Sequence, residues 1–469
     1  MAEPALWLYH SERASYEGEL NIFDPRDGSF VGAMPASTQT QVHAALLSAR
    51  GAFAHWRTVP AADRAGALRA AAAELERRES ELAELNLRET GRPMDEALGG
   101  VRAGVATLLQ YAEYAPLHRG KTLNGPPQAI DFSRAEPRGV AVVLTPWNDP
   151  VAVACGLISA ALAVGDTVVY KPSERCPHTG RLLGEILAAS LPKGVLNTVI
   201  GGAQTGAALV EETGVDVIAH VGSTATGREI ARLAAGTGAH LVRENGGNDP
   251  LIVDADVDPE WAAEQAAIGA FTNVGQLCTA VERIYPHRSI ADAFIAALID
   301  RAQALNASGT LAPLVDATLR GIVDEQVRAA VADGARLLVG GRIPGGPGSY
   351  YPATVLTRCT PLMRIMREET FGPVAPLQVA DDFEEALALA CDDRYGLAAT
   401  VLTGSLDHAL LASQVLPVGT VKVNGVFGGA PGGSAQPRHD SGAGFGYGPE
   451  LLDEMSTIKV VHIEAGALR

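Results

Sequence analysis

Three residues of this sequence, Cys278, Glu244 and Asn148, have the chemistry to attack a carbonyl carbon together. Cys278 follows an apolar segment and a Gly-Gln turn, which is expected to place the thiol on a loop beside the core. A cysteine attacks as its thiolate and needs a partly exposed, base-assisted setting. Taken alone, Cys278 would be interpreted as a buried small side chain. The carboxylate and the amide favour chemistry instead, since they could activate water and hold an oxyanion.

The segments around these residues have the pattern of alternating strands and helices. The first alternation begins at Gly139, with apolar strands such as Val140–Leu144, and a second begins near Leu251. Strands that alternate with helices predict parallel sheets with helices on both faces, and their continuous apolar character predicts strands that are buried on both sides. Upstream, residues 61–89 are predicted to form one helix with a solvated charged face. The sequence therefore predicts an α/β fold with two doubly wound domains.

Six short motifs, in one order and at matching spacing, make the chain similar to the aldehyde dehydrogenase superfamily. These enzymes oxidise aldehydes to acids with NAD(P). The resemblance extends from about Asn21 to about Ile463. The motifs are Thr145-Pro146-Trp147-Asn148, Lys171-Pro172-Ser173-Glu174, Gly222-Ser223-Thr224 with Gly227, Glu244 with Gly246-Gly247, Asn273 to Cys278, and Glu369-Thr370-Phe371-Gly372-Pro373.

The resemblance implies a domain organisation. Residues 1–117 and 139–245 would form a Rossmann-like NAD-binding domain, and residues 246–440 the catalytic domain. Residues 118–138 and 455–469 would form a small β arm that joins subunits into a homodimer or homotetramer. The last strand, Thr457 to Ile463, has no obvious partner nearby in the sequence, which is consistent with pairing in an oligomer.

The resemblance also implies roles for the reactive residues. Cys278 would be the nucleophile, and Asn148 would hold the oxyanion together with the Cys278 backbone N–H. Glu244 would activate the water that releases a free acid. A branch that transfers the acyl group to coenzyme A typically lacks this glutamate. A catalytically silent binding or structural relative would be expected to have lost one of the three residues. The retained set therefore favours an NAD-dependent enzyme acting on a small-molecule aldehyde.

A set of candidate cofactor residues lies at strand ends. The turn from Gly222 to Gly227 opens a helix, whose N-terminus suits a pyrophosphate, although an ordinary capped turn would look the same. Glu174 at a strand end is expected to accept hydrogen bonds from a ribose and to repel a 2′-phosphate, unless it is only a solvent-facing partner of Lys171. The NAD contacts implied by the resemblance are Thr145, Pro146, Trp147, Lys171, Ser173, Glu174, Gly222, Ser223, Gly227, Asn245, Gly246, Glu369 and Phe371.

The substrate pocket is the part of the site where the sequence departs most from the family. Asp149 stands where many members have a bulky apolar residue, although an aspartate there would also cap the next helix. Asn245 replaces a usual leucine, and His220 precedes the pyrophosphate turn where phenylalanine is usual. Polar groups in a pocket usually orient a polar ligand. The predicted pocket residues are Asp149, Gly156, Leu277, Thr279, Phe427, Arg438 and His439.

Charge and cysteine content narrow the possible partners. The chain has 54 acidic against 37 basic residues and a formal charge of −17, which argues against a nucleic-acid or anionic-membrane partner. Its five cysteines follow no disulfide or zinc-ligand spacing, so a reducing cytoplasm and no metal are expected. No signal peptide and no apolar stretch long enough to span a bilayer are evident.

Overall fold

The computed structural model describes residues 18–428, 433–464 and 466. Its strands are β1 Glu19–Phe23, β2 Phe30–Pro35, β3 Thr122–Leu123, β4 Ala129–Pro137, β5 Val140–Leu144, β6 Thr167–Lys171, β7 Leu196–Thr198, β8 Val217–Val221, β9 His240–Glu244, β10 Asp249–Val253, β11 Val281–Pro286, β12 Arg336–Val339, β13 Thr354–Thr357, β14 Val374–Pro376, β15 Ala398–Leu402, β16 Thr420–Val423, β17 Gly442–Ala443 and β18 Ser456–Glu464.

The α-helices alternate with these strands through most of the described chain. They are α1 Gln39–Trp56, α2 Ala61–Arg77, α3 Glu79–Thr90, α4 Met94–Tyr114, α5 Pro150–Val164, α6 Pro177–Ala188, α7 Ala203–Glu211, α8 Thr224–Ala234, α9 Pro259–Phe271, α10 Ala291–Ser308, α11 Ala317–Ala332, α12 Phe383–Cys391, α13 Leu406–Val415 and α14 Glu450–Glu454. The predicted α/β class with parallel sheets is confirmed.

A six-stranded sheet in the order β17-β9-β8-β5-β6-β7 carries the first alternation. Its strands are parallel except for β17, which runs antiparallel to β9. Leu144 pairs with both Lys171 and His220, and Val221 pairs with Glu244, so β5, β6, β8 and β9 end at one edge. Ligands of parallel sheets bind outside this carboxyl edge. The register thus brings four of the predicted motifs together.

The second alternation forms a four-stranded parallel sheet in the order β11-β10-β15-β16, with β12-β13-β14 as a separate sheet. Arg283 on β11 is 2% exposed and forms an ion pair with Asp393 at 2.8 Å. Its Nε also donates to the Asn248 carbonyl oxygen at 2.8 Å. A buried cation must be paired and hydrogen-bonded in this way, because its desolvation is otherwise too costly. This network ties β11 to the start of β10.

The last strand, β18, finds its partner within the same chain. It pairs antiparallel with β4 from Ser456↔Pro137 to Glu464↔Ala129, and β3 completes a three-stranded sheet in the order β18-β4-β3. The strand thus has no partner nearby in the sequence, as expected, and pairs with a distant segment within residues 118–138. Antiparallel partners far apart in sequence leave no local signal. The division into two domains and an arm, with the boundaries given above, stays a prediction.

The region predicted as one helix over residues 61–89 is divided at Arg78, whose backbone leaves the helical conformation (φ −110°, ψ 20°). Helix α3 takes a new direction and buries Glu89, which is 2% exposed. The Glu89 carboxylate accepts the backbone N–H groups of His178 and Thr179 at 2.9 and 2.8 Å. These are unpaired donors at the start of α6. Glu89 thus caps another helix, although the sequence predicted a solvent-exposed charged face for this region.

Candidate active site

A cavity of about 730 Å³ lies at the carboxyl edge of the six-stranded sheet, and Asn148, Glu244 and Cys278 all line it. Most of the other predicted site residues line the same cavity. They are Pro146, Trp147, Asp149, Gly156, Gly222, Ser223, Asn245, Gly246, Leu277, Thr279, Glu369, Phe371 and Phe427. A thiol, a carboxylate and an amide from three separate strand or helix ends therefore share one recess.

The thiol of Cys278 is presented by a strained turn. After α9 ends at Phe271, the backbone takes positive φ at three successive residues, Asn273 (46°), Val274 (52°) and Gly275 (72°). Positive φ is rare for a β-branched residue, and such strain concentrates at functional sites. A Cβ on Gly275 would lie 2.2 Å from the Gly372 carbonyl oxygen, so the turn packs directly against another loop of the site.

Hydrogen bonds around Gln276 hold this turn in place. Its Nε2 donates to the Asn273 carbonyl oxygen at 3.2 Å, and its Oε1 accepts the Val315 N–H at 2.9 Å. Its own carbonyl oxygen accepts the Asn148 side-chain amide at 3.1 Å. The amide predicted to hold an oxyanion is therefore bonded directly to the nucleophile turn.

Arg92 holds the other side of the Asn148 segment. Its Nη1 donates to the Asn148 carbonyl oxygen at 3.1 Å and to Asp149 Oδ1 at 3.0 Å. Asp149 stands at the N-cap of α5, but its side chain makes no capping hydrogen bond. The capping alternative is therefore wrong, because the carboxylate pairs with Arg92 instead. Sequence reasoning missed Arg92, which lies far from the motif that it supports.

Electrostatics keep the resting thiol protonated. Burial raises the pKa of Cys278, and the Glu244, Asp249 and Glu369 carboxylates raise it further, while Lys422 acts in the opposite direction. A thiol in such surroundings needs a base or a bound cation before it can attack. Within the described residues, its backbone N–H donates to no acceptor, so this donor is free to face an oxyanion.

Burial and a neighbouring glycine define the surroundings of Glu244, the predicted base. Burial raises the pKa of Glu244, which makes its carboxylate a stronger base than an exposed glutamate. A Cβ on Gly446 would lie 2.3 Å from Glu244 Oε2. Gly446 belongs to a glycine-rich run whose Gly442 and Ala443 pair with Glu244 and Arg243. No motif singled out in the sequence includes this run, so its place beside Glu244 appears only in the structure.

The side of the cavity that is predicted to face the cofactor is built around Glu369 and Phe371. Glu369 Oε1 accepts the Gly247 N–H at 3.1 Å, and a Cβ on Gly246 would lie 2.2 Å from Glu369 Oε2. The Phe371 ring packs edge-on against Trp147 with 5.6 Å between centroids. A carboxylate beside two glycines could accept hydrogen bonds from a sugar, and the two aromatic rings could pack against a flat ring.

Ser223 and Lys171 are already engaged by the protein. Ser223 is the N-cap of α8, and its hydroxyl accepts the Thr226 N–H at 3.3 Å. The buried Lys171 ammonium donates to the Pro172 and Gly201 carbonyl oxygens at 2.8 Å each, and lies 3.7 Å from Glu174. Five predicted cofactor residues do not line the cavity that contains Cys278, namely Thr145, Lys171, Ser173, Glu174 and Gly227.

Arg438 and His439 need correction as pocket residues, since they do not line the cavity. The Arg438 N–H donates to the Gly396 carbonyl oxygen at 2.9 Å, and its Cβ lies close to the same glycine. His439 is exposed, and the adjacent Asp440 pairs with Arg228 at 2.6 Å. The segment is held along the Gly396 loop instead. The missed pocket wall comes partly from α4, through Ala103 and Thr107.

No group of three or more His, Cys, Asp or Glu side chains in the described ranges could hold a metal ion. Likewise, no helix within these ranges has the length and apolar character needed to cross a bilayer.

His220, beneath the Gly222 turn, is expected to make stability depend on pH. It is 5% exposed, and in the described structure neither ring nitrogen has a hydrogen-bond partner of normal geometry. Burial lowers the pKa of His220 to about 4 from 6.5. Because the unfolded chain binds the proton first, His220 should cost stability as the pH falls from 6.5 towards 4, by up to about 3 kcal/mol.

The measurement is denaturant unfolding of wild type, His220→Phe and the exposed control His55→Gln between pH 7.5 and 4. The stability difference between His220→Phe and wild type should grow in favour of the variant as the pH falls. A difference that does not change with pH, or one that also appears in the control, would contradict this role.

Comparison with known proteins places the chain in a family. Residues 11–461 match the model of the aldehyde dehydrogenase family. The chain belongs to this family. The family prediction made from the six motifs is therefore confirmed.

Relatives within the family agree over nearly full length. The chain is 35% identical to an α-ketoglutarate semialdehyde dehydrogenase of Haloferax volcanii, over 90% of this chain and 91% of that protein. Its fold matches lactaldehyde dehydrogenase of Escherichia coli at a TM-score of 0.93 and 30% identity, covering 96% and 97% of the two chains. Betaine aldehyde dehydrogenase of Staphylococcus aureus, solved with NAD+, matches at 0.93 and 30%, covering 96% and 93%.

Proposed function

We propose that this protein oxidises an aldehyde to the free carboxylic acid with NAD, through a covalent adduct on Cys278. The observation that supports this most directly is the convergence of Cys278, Glu244 and Asn148 in one cavity, beside Glu369 and Phe371. A nucleophile, a base and an oxyanion donor are the protein groups that this reaction needs.

The first half of the reaction forms a thioester. The Cys278 thiol first gives its proton to solvent, and the thiolate sulfur then bonds to the aldehyde carbon. The carbonyl oxygen becomes an anion held by the Asn148 amide and the Cys278 N–H. Asn148 can serve because its second amide hydrogen remains beside its bond to Gln276. Bound NAD supplies the acceptor for the hydride that leaves the adduct, with Glu369 and Phe371 as its contacts on the ring side. The oxyanion re-forms the carbonyl bond as the hydride leaves, so that an acyl group remains on Cys278.

The second half releases the acid. Glu244 removes a proton from water, the water oxygen bonds to the thioester carbon, and the carbon–sulfur bond breaks. Burial suits Glu244 to this task, because a raised pKa brings its proton exchange closer to neutral pH. The presence of Glu244 favours hydrolysis over transfer to coenzyme A.

The test combines NADH absorbance with product analysis. We expect NADH from protein, NAD and a simple aldehyde, and mass spectrometry should find the free acid in equal amount whether or not coenzyme A is added. An acyl-coenzyme A product would favour the acylating branch. No NADH across short, aromatic, amino, hydroxy and phosphorylated aldehydes would favour the catalytically silent alternative.

Glu174 should make the enzyme prefer NAD over NADP. Its side chain is about half exposed just after β6, where its carboxylate is expected to accept hydrogen bonds from a ribose of NAD. The 2′-phosphate of NADP would be repelled by this carboxylate. We expect a clearly higher kcat/KM with NAD, and Glu174→Ala should narrow the ratio while the exposed control Glu385→Gln leaves it unchanged. A wild-type preference for NADP would contradict the assignment.

The substrate is proposed to carry a hydroxyl, amino or acidic group. Asp149 lines the cavity with its carboxylate pinned by Arg92, so the pocket presents an oriented polar pair. A plain alkyl chain against this pair would displace its water without offering a new hydrogen bond, and a polar group left without such a bond costs roughly 1–3 kcal/mol. The related enzymes are named for semialdehyde, lactaldehyde and betaine aldehyde substrates.

Matched substrate pairs test this choice. We expect kcat/KM to be higher for glycolaldehyde than for acetaldehyde, and higher for lactaldehyde than for propanal. Asp149→Leu should reduce or reverse these ratios. Higher values for the alkyl member of every pair would exclude a polar preference.

Assembly into a homodimer or homotetramer and a cytoplasmic location remain predictions from the sequence.

A further inference from the structure

The turn that contains Glu369 and Phe371 has a backbone that cannot be maintained by local interactions alone. Phe371 has φ of +52°, a conformation that costs a bulky residue energy unless its surroundings hold it. This turn places the Glu369 carboxylate against Gly246 and the Phe371 ring against Trp147. Some other part of the structure must therefore stabilise it.

Glu282 on β11 supplies that support. Its side chain is 4% exposed, and its two carboxylate oxygens accept the backbone N–H groups of Thr370 and Phe371 at 2.7 and 2.8 Å. Burial and the neighbouring Glu369 carboxylate raise the pKa of Glu282, and the two N–H groups act against this rise. Two hydrogen bonds to successive backbone amides, one to each carboxyl oxygen, fix both the position and the direction of the turn.

Gln326 on α11 holds other polar atoms of the same turn. Its Nε2 donates to the Glu369 carbonyl oxygen at 3.0 Å, and its Oε1 accepts the Thr370 hydroxyl at 3.2 Å. Both side chains are buried, since Gln326 is 1% exposed and Thr370 is 3% exposed. The turn is thus held by side chains on both flanks and does not rest on loop packing alone.

The position of Glu282 in the chain links this turn to the nucleophile. Glu282 is the second residue of β11, and the Cys278 turn leads directly into that strand. One short, rigid segment therefore carries the thiol at one end and the anchor of the Glu369–Phe371 turn at the other. Movement of this anchor would change the separation between the sulfur and the ring that is to receive hydride, and small errors in such separations are costly.

We propose that Glu282 is a positioning residue that holds the Glu369–Phe371 turn in its NAD-binding conformation and in register with Cys278. This rests on the proposed function, in which Glu369 and Phe371 contact NAD. Glu282 does not line the cavity that contains Cys278, so its role would be exerted through the turn. Its effect should therefore appear in cofactor binding and hydride transfer, while the thiol keeps its own reactivity.

The central variant is Glu282→Gln. An amide can accept through only one atom, and its NH2 group would face one of the two N–H groups, so the turn should shift. We expect the Kd for NAD, measured by calorimetry, to rise about 10-fold, which corresponds to roughly 1.4 kcal/mol. The rate at which iodoacetamide alkylates Cys278 without NAD should stay within about 2-fold of wild type, because Glu282 acts on the turn and not on the thiol. General structural damage would change this rate as well.

A matched control is Glu385→Gln, since Glu385 also accepts a backbone N–H, from Asp381 at 2.6 Å, on the exposed surface. It should leave both readouts unchanged. If Glu282→Gln does not fold, as judged by its thermal transition, Gln326→Leu tests the same turn from the other flank and should raise the Kd in the same way. An unchanged Kd in a folded Glu282→Gln or Gln326→Leu protein would overturn the proposal.

Failure of the proposed NAD site is distinguishable from failure of the Glu282 role. Glu369→Gln and Phe371→Ala should each weaken NAD binding if the turn contacts the cofactor. If they weaken it and Glu282→Gln does not, only the role of Glu282 is refuted. If none of the three changes the Kd, the assignment of this turn to NAD is refuted as well.

Discussion

Cys278→Ala should lose steady-state aldehyde oxidation by about 10⁴-fold or more, the scale seen when a covalent nucleophile is removed. Alanine leaves the fold of the turn intact but offers no atom that can bond to the aldehyde carbon. Because no adduct forms, neither hydride transfer nor thioester hydrolysis can follow. NADH absorbance with saturating NAD and aldehyde measures the loss, and calorimetry with NAD should show that cofactor binding is retained.

The chain offers a matched control for this substitution. Cys391 is also partly exposed and lies outside the cavity, so Cys391→Ala should keep wild-type turnover. Turnover in Cys278→Ala that resembles wild type would remove Cys278 from the mechanism. Loss of turnover in both variants would point to a general effect of cysteine removal instead.

Glu244→Gln should separate the two halves of the reaction. The amide cannot take a proton from water, so thioester hydrolysis should slow by roughly 10²–10⁴-fold, the usual contribution of a general base. Hydride transfer should still occur once. Rapid mixing of the variant with NAD and aldehyde should therefore give a burst of up to one NADH per active site, followed by a slow phase.

The shape of the trace decides between alternatives. A missing burst with slow turnover would mean that Glu244 mainly activates Cys278. This alternative has support, because Glu244 is among the groups that shift the pKa of the thiol. Two unchanged phases would mean that Glu244 is structural. The exposed control Glu229→Gln should behave as wild type. In wild type, hydrolysis should quicken as pH rises through the raised pKa of Glu244, because only the ionised carboxylate accepts the proton.

The sequence alone determined the fold class and the family, and it predicted the three residues proposed to react. This was possible because apolar strands report burial by local pattern, and because the reactive groups lie at strand ends within short motifs. Parallel strands then bring those ends to one edge whatever the details of the loops. That register brings Asn148 and Glu244 to one edge of the six-stranded sheet, whereas Cys278 reaches the same cavity from the turn before β11 in the other parallel sheet.

Only the tertiary structure decided which residues support these groups. Glu282, Arg92 and Gly446 act on residues more than 50 positions away, through single contacts that no periodicity records. Arg438 and His439 were misplaced for the same reason, since backbone hydrogen bonds to a distant loop set their position. Local pattern encodes burial, whereas the partner of a buried polar group depends on how separate elements pack.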